Sequence, residues 1–96
     1  MDPNSFAKIQ RALAEPNRLE ILEIIRSTQP GDCTNCGSVL AKTNVSQSTF
    51  SHHISELVEA GLVIGEKQGR AMRLSVNQEL VEEYLSELKS KILGKK

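Results

Sequence analysis

The stretch Ser46-Gln47-Ser48-Thr49-Phe50-Ser51-His52-His53-Ile54-Ser55-Glu56-Leu57-Val58-Glu59-Ala60-Gly61 decides how the rest of the 96-residue chain is read. Phe50, Ile54, Leu57 and Val58 recur at i, i+4, i+7 and i+8, the spacing that lays one apolar stripe along a helix. Ser46 precedes the stripe, where a hydroxyl can accept a bond from a free amide of the first turn. Gly61 follows it, where a helix end favours a left-handed residue. Turning about 100° per residue from Phe50 puts Ser48, Thr49, His52 and Ser55 away from the stripe, with Gln47 beside them in the first turn.

Upstream, residues 38–43 carry Val39, Leu40 and Ala41 as a short helical stretch, and Asn44 is a residue that tolerates a left-handed turn. Val45 then plugs the corner, so two helices meet across a tight turn, the helix-turn-helix pattern. Farther back, Phe6, Ile9, Ala12 and Leu13 predict an amphipathic helix over residues 5–13. Pro16 opens a second helix whose Leu19, Ile21, Leu22, Ile24 and Ile25 cover more than one face, and Pro30 with Gly31 ends it. Downstream the period changes to two. Leu62, Val63 and Ile64 form a β-rich run, residues 65–69 a polar turn, and Met72, Leu74 and Val76 alternate with Arg73 and Ser75, which together make a hairpin wing. Residues 77–93 close the chain with a helix striped by Leu80, Val81, Tyr84, Leu85, Leu88 and Ile92. The expected fold is mainly α with a β-hairpin: a winged helix-turn-helix of about five helices plus a two-stranded wing, as one domain over residues 1–96.

Apolar residues make up 39% and charged ones 25%, which places the chain among ordinary globular domains rather than disordered ones. Phe6, Phe50 and Tyr84 are its three aromatics, so the core must be aliphatic. No apolar run approaches the roughly 20 residues that span a bilayer, and the first residues lack the character of a secretory signal; a cytoplasmic location is expected. No nucleophile–base–acid set and no phosphate-cradling glycine loop is present, so the chain is not expected to be an enzyme.

Twelve basic residues balance twelve acidic ones, so charge matters here through its distribution and not its sum. Lys67, Arg70 and Arg73 fall within seven residues that contain no acid, apart from Glu66 just before them, and are candidate phosphate contacts. Ser46, Gln47, Ser48, Thr49, Ser51, His52 and Ser55 are the candidate DNA-facing side chains of the helix, with Glu56 and Glu59 farther along. A helix enters DNA best by its N-terminal end, where its dipole favours phosphate. The stripes of the first and last helices exceed what one small core needs, so Phe6, Ile9, Leu13, Leu80, Tyr84, Leu85, Leu88 and Ile92 are expected between two copies of the chain. Such stripes can instead close the core of a single copy.

These residues resemble a known family. Ala14-Glu15-Pro16-Asn17-Arg18-Leu19-Glu20-Ile21-Leu22 is similar to the opening of the ArsR/SmtB winged-helix repressors. The segment 46–54, then Leu57, Ala60-Gly61-Leu62-Val63 and Gln68-Gly69-Arg70, resembles that family's recognition helix and wing. The resemblance implies a homodimer that binds an inverted-repeat operator in double-stranded DNA and is released by an inducer. It also implies that Gln47, Ser48 and His52 contact the major groove, that Arg70 reaches the backbone or minor groove, and that His53 packs or hydrogen-bonds and binds no metal.

Sensing is the open part. The last helix contains no histidine, so a zinc site of the family's terminal-helix type is not expected there. Cys33 and Cys36 lie near the family's arsenic-type position, but their spacing is C-x-x-C instead of C-x-C and both fall outside the motif. Three readings stand: soft thiolates for arsenite or a thiophilic metal ion, a redox switch, or no sensory role. The rival function is a winged helix that docks a protein partner without specific DNA binding.

Overall fold

The computed structural model describes residues 1–27 and 35–94. Helix α1 (Pro3–Leu13) starts where the Asp2 carboxylate accepts from the Ser5 amide at 2.6 Å and Pro3 fills the first turn. Pro16 likewise opens α2 (Pro16–Ser27). The Pro30-Gly31 terminator expected for α2 lies outside the described residues.

Helix α3 (Cys36–Leu40) begins two residues before the expected start and ends earlier. The reason is Asn35, whose side-chain oxygen accepts from the Ser38 amide at 2.8 Å and caps the helix. The Lys42 and Thr43 amides then close the turn by donating hydrogen bonds to the Val39 and Leu40 carbonyls. Asn44 is not left-handed as expected, because among the described residues only glycines have positive φ. Val45 is half-buried against the core and fills the corner as expected.

Helix α4 (Gln47–Glu59) ends in a glycine-closed motif: Gly61, at φ +85°, donates to the Val58 carbonyl and Leu62 to the Leu57 carbonyl. Strands β1 (Val63–Gln68) and β2 (Ala71–Val76) pair antiparallel, with Val63 opposite Val76 and Gln68 opposite Ala71. The first strand therefore continues through residues 65–68, which the sequence had suggested as turn; only Gly69 and Arg70 form the loop. Gly69, at φ +63°, takes the first position of that loop, where the strand twist requires positive φ. Asn77 caps α5 (Gln78–Leu93) by accepting from the Leu80 amide, and its own side-chain nitrogen donates to the Gly61 carbonyl at 3.0 Å. One residue thus fastens the end of α4 to the start of α5.

Ile9, Ile21, Leu57, Leu62, Val63 and Leu74 are fully enclosed, so α1, α2, α4 and the base of the wing share one aliphatic core. Enclosing each such side chain contributes about 1.5–3 kcal/mol. Three residues expected between subunits belong to this core: Phe6 (9% exposed), Ile9 (0%) and Tyr84 (7%). Their helices face each other, with the Phe6 and Tyr84 rings 5.0 Å apart. Leu13, Leu80 and Leu88 are half-buried against the same cluster. Leu85 (54%) and Ile92 (70%) stay open to solvent, together with Leu19 and Leu93. No helix among the described residues is long and apolar enough to cross a membrane.

Candidate nucleic-acid interface

The cap of α4 organises its leading end. The Ser46 hydroxyl accepts from the Thr49 amide at 3.2 Å and donates to the Thr49 hydroxyl at 2.9 Å, with the Ser48 hydroxyl 3.3 Å away. Three hydroxyls and the free amides of the first turn are thereby gathered at one place. Phe50, His53, Ile54 and Leu57 are buried on the opposite side and fix the rotation of the helix about its axis. Gln47, Ser48, Thr49, Ser51, His52 and Ser55 are all exposed, as is Ser46. No acid stands in the first turn. The acids come later, where Glu56 lies 4.0 Å from the His52 ring and Glu59 lies 3.9 Å from the Lys8 ammonium.

Lys67, Arg70 and Arg73 are exposed on the wing. Arg73 stands opposite Glu66 in the ladder, so its guanidinium has an acid as cross-strand neighbour, while Arg70 sits in the loop. The backbone of Arg73 also bridges to Asn35, which joins the start of α3 to the wing.

Cys36 is the first residue of α3 and is half-buried. It lines a groove together with Phe50, Ile54 and Ser55 of α4 and Met72 of β2. Cys33 lies outside the described residues. Among the described residues no cluster of three or more His, Cys, Asp or Glu side chains is placed to hold a metal ion.

The two adjacent histidines divide as their helical spacing requires. His52 points outward, whereas His53 is 6% exposed and its Nδ1 accepts from Arg18 Nε at 3.1 Å. Burial lowers the affinity of this ring for a proton, and the Arg18 cation lowers it further; Glu15 acts in the opposite direction and His52 adds a small push downward. Spacing alone gave no hint of this pair. The only trace is an arginine in the first turn of α2, beside the apolar positions Leu19, Ile21 and Leu22.

The family model described as a helix-turn-helix domain matches residues 13–66. A helix-turn-helix-type transcriptional regulator of Bacillus subtilis is 33% identical over 88% of this chain and 82% of its own length. An arsenical resistance operon repressor of Staphylococcus xylosus is 32% identical over 85% of this chain and 75% of its own. The homodimeric winged helix-turn-helix DNA-binding domain of a possible ArsR-family regulator from Mycobacterium bovis shares the fold, with a TM-score of 0.70 and 19% identity over 92% of this chain and 80% of that one. With a capped helix-turn-helix and a two-stranded wing in the same chain, this protein belongs to the ArsR/SmtB family of winged-helix, DNA-binding transcriptional regulators.

Proposed function

We propose that the chain is a cytoplasmic repressor that binds an inverted-repeat operator as a homodimer, each copy placing the leading end of α4 in the major groove and its wing on the phosphate backbone. One observation carries the reading: α4 is locked by a buried side of Phe50, Ile54 and Leu57, so its acid-free, hydroxyl-lined leading end stands outward. Ser46 and Thr49 then meet phosphate or sugar, Gln47, Ser48, Ser51, His52 and Ser55 meet base edges or the groove wall, and Lys67, Arg70 and Arg73 supply the wing's phosphate contacts. Leu85, Ile92 and the open edges of Leu13, Leu80 and Leu88 form the seam between copies, with Phe6, Ile9 and Tyr84 supporting it from within. The whole chain acts as one domain.

Titration against duplex DNA at increasing salt tests the reading. Three wing cations per copy, each meeting one phosphate, give a dimer a log–log slope of about −5. A slope near zero would instead favour docking to a protein partner.

The geometry around Cys36 supports thiol-based release by arsenite or a soft metal ion. Its groove is walled by α4 and by Met72 of the wing, and the Asn35–Arg73 bridge ties its helix to that wing. A ligand held by Cys33 and Cys36 would load both DNA-facing elements. Substituting Cys33→Ser and Cys36→Ser together leaves DNA affinity intact and abolishes release by arsenite; unchanged release sinks this part alone.

A further inference from the structure

Among the described residues, His53 is the one buried polar side chain, and it sits on the helix proposed to enter DNA. Arg18 reaches it from α2, its Nε donating to the ring while its Nη1 donates to the Arg11 carbonyl at 3.4 Å. A guanidinium offers only donors, so the ring nitrogen facing it must keep a lone pair, and the imidazole is neutral with its proton on Nε2. That Nε2 has no hydrogen-bond partner among the described residues. A buried N–H left unbonded costs about 1–3 kcal/mol. An aliphatic side chain would fill the space without that penalty; what imidazole adds is the acceptor for Arg18.

We propose that the Arg18–His53 bond sets the angle at which α4 presents its leading end, and that one proton on His53 breaks the bond and releases the helix, so DNA binding is gated by pH. The proposal rests on the reading that α4 enters DNA. Protonation turns the accepting nitrogen into a donor that faces a donor, and it places two cations about 3.1 Å apart at a partly buried contact. The charged groups acting on the ring are Arg18, Glu15 at the α1–α2 corner, and His52 on its own helix. Farther along these faces, Lys8 of α1 is engaged with Glu59, and Glu56 with His52. Arg11 of α1 offers Arg18 its carbonyl. Only Glu15 favours the proton, and burial with Arg18 outweighs it, so the folded ring titrates below the ordinary value of 6.5. The bond is therefore intact at neutral pH and is lost as pH falls through that lowered value. A positive ring at exposed His52 would act the other way, since it attracts phosphate. The sign of the pH effect thus separates the two histidines.

The probe is a labelled duplex isolated from a randomised library by the wild-type chain at about pH 8, with affinity followed down to about pH 5. Below the ring's transition the competent fraction of each copy falls about tenfold per pH unit, so the affinity of a dimer that needs both copies falls by up to about a hundredfold. The helical circular-dichroism signal stays constant over the same range. Nitrogen-15 spectra of the ring show His53 Nδ1 changing from acceptor to protonated at the same midpoint. His53→Asn places a carboxamide oxygen where Nδ1 stands and does not titrate, so its affinity does not fall on acidification; His53→Gln serves if the shorter side chain does not fold. Affinity that is flat or rises on acidification, a variant that falls like wild type, or separated midpoints would each overturn the proposal. Loss of helical signal together with affinity also overturns it, because the proton then unfolds the chain. If neither variant folds, the wild-type midpoints decide. Failure of wild type to retain any duplex at about pH 8 sinks the DNA reading itself and this proposal with it.

Discussion

Ser46 is placed to do two jobs, and two substitutions pull them apart. Its hydroxyl is the cap of α4, accepting from the Thr49 amide, and it belongs to the surface proposed to meet phosphate. Ser46→Ala removes the acceptor and leaves that amide without its protein partner, a loss of about 1 kcal/mol. For a chain of this size that lowers the melting temperature by about 4–8 °C. Ser46→Asp keeps an acceptor in the same place and adds a negative charge at the positive end of the helix dipole, where the first turn has no acid; this favours the fold by about 0.3–1 kcal/mol. The same charge opposes DNA. A carboxylate about 6 Å from a phosphate costs about 0.7 kcal/mol in bulk water and about 3 kcal/mol at an effective dielectric near 20. Affinity should then fall between about threefold and a hundredfold for each copy that engages, while the melting temperature holds or rises. Thermal circular dichroism and fluorescence anisotropy on a labelled duplex measure the two quantities separately. If Ser46→Asp is stable and binds DNA as tightly as wild type, the leading end of α4 does not face phosphate, and the reasoning fails.

Arg70→Ala should weaken binding to all duplexes alike and reduce the salt slope by about 0.9 per copy, read from titrations at several salt concentrations. Gly61→Ala and Gly69→Ala both force a Cβ into positive φ, a strain of about 1–2 kcal/mol. At Gly61 that Cβ would also lie 3.1 Å from a Leu80 methyl, whereas at Gly69 it meets open space, so thermal melts should show Gly61→Ala as the more destabilised. Folding stability should itself depend on pH through His53. The ring binds its proton less readily folded than unfolded, so its contribution is complete above pH 6.5 and is lost as pH falls through the lowered folded value; denaturant midpoints that rise on acidification would contradict it.

What could be read from the sequence follows from how local each interaction is. Helix α4 was legible because its cap, stripe and terminal glycine all act within a few residues: Ser46 on Thr49, Gly61 on Val58. Helix α3 was misplaced because a helix of five residues has no stripe to read, and its start depends on one asparagine reaching three residues ahead. The length of β1 was missed because Glu66 and Lys67 are both exposed, so the alternation that marks a half-buried strand is absent there. The first and last helices each showed an apolar face, but nothing in either says that the other covers it; the contact of Phe6 with Tyr84 spans nearly the whole chain. The Arg18–His53 bond joins residues 35 apart, and helical spacing could say only that His53 faces away from His52.

The distribution of charge bears on why a neutral chain would act in pairs. Acids gather on α5 at Glu79, Glu82, Glu83 and Glu87, and the leading half of α4 carries no formal charge apart from any proton on its histidines. Attraction for phosphate is therefore left to the wing cations and to helix amides. A single copy with so few phosphate contacts has little electrostatic affinity, and each contact is weakened further by salt. Joining two copies through the proposed seam of Leu85 and Ile92 would make the second set of contacts intramolecular, so both α4 helices would engage at a high effective concentration without any added charge. On this argument, a Leu85→Glu chain that is monomeric by sedimentation should keep its helical signal yet lose nearly all operator affinity. Tight binding by such a monomer would show that the electrostatics of one copy suffice and that pairing serves another purpose.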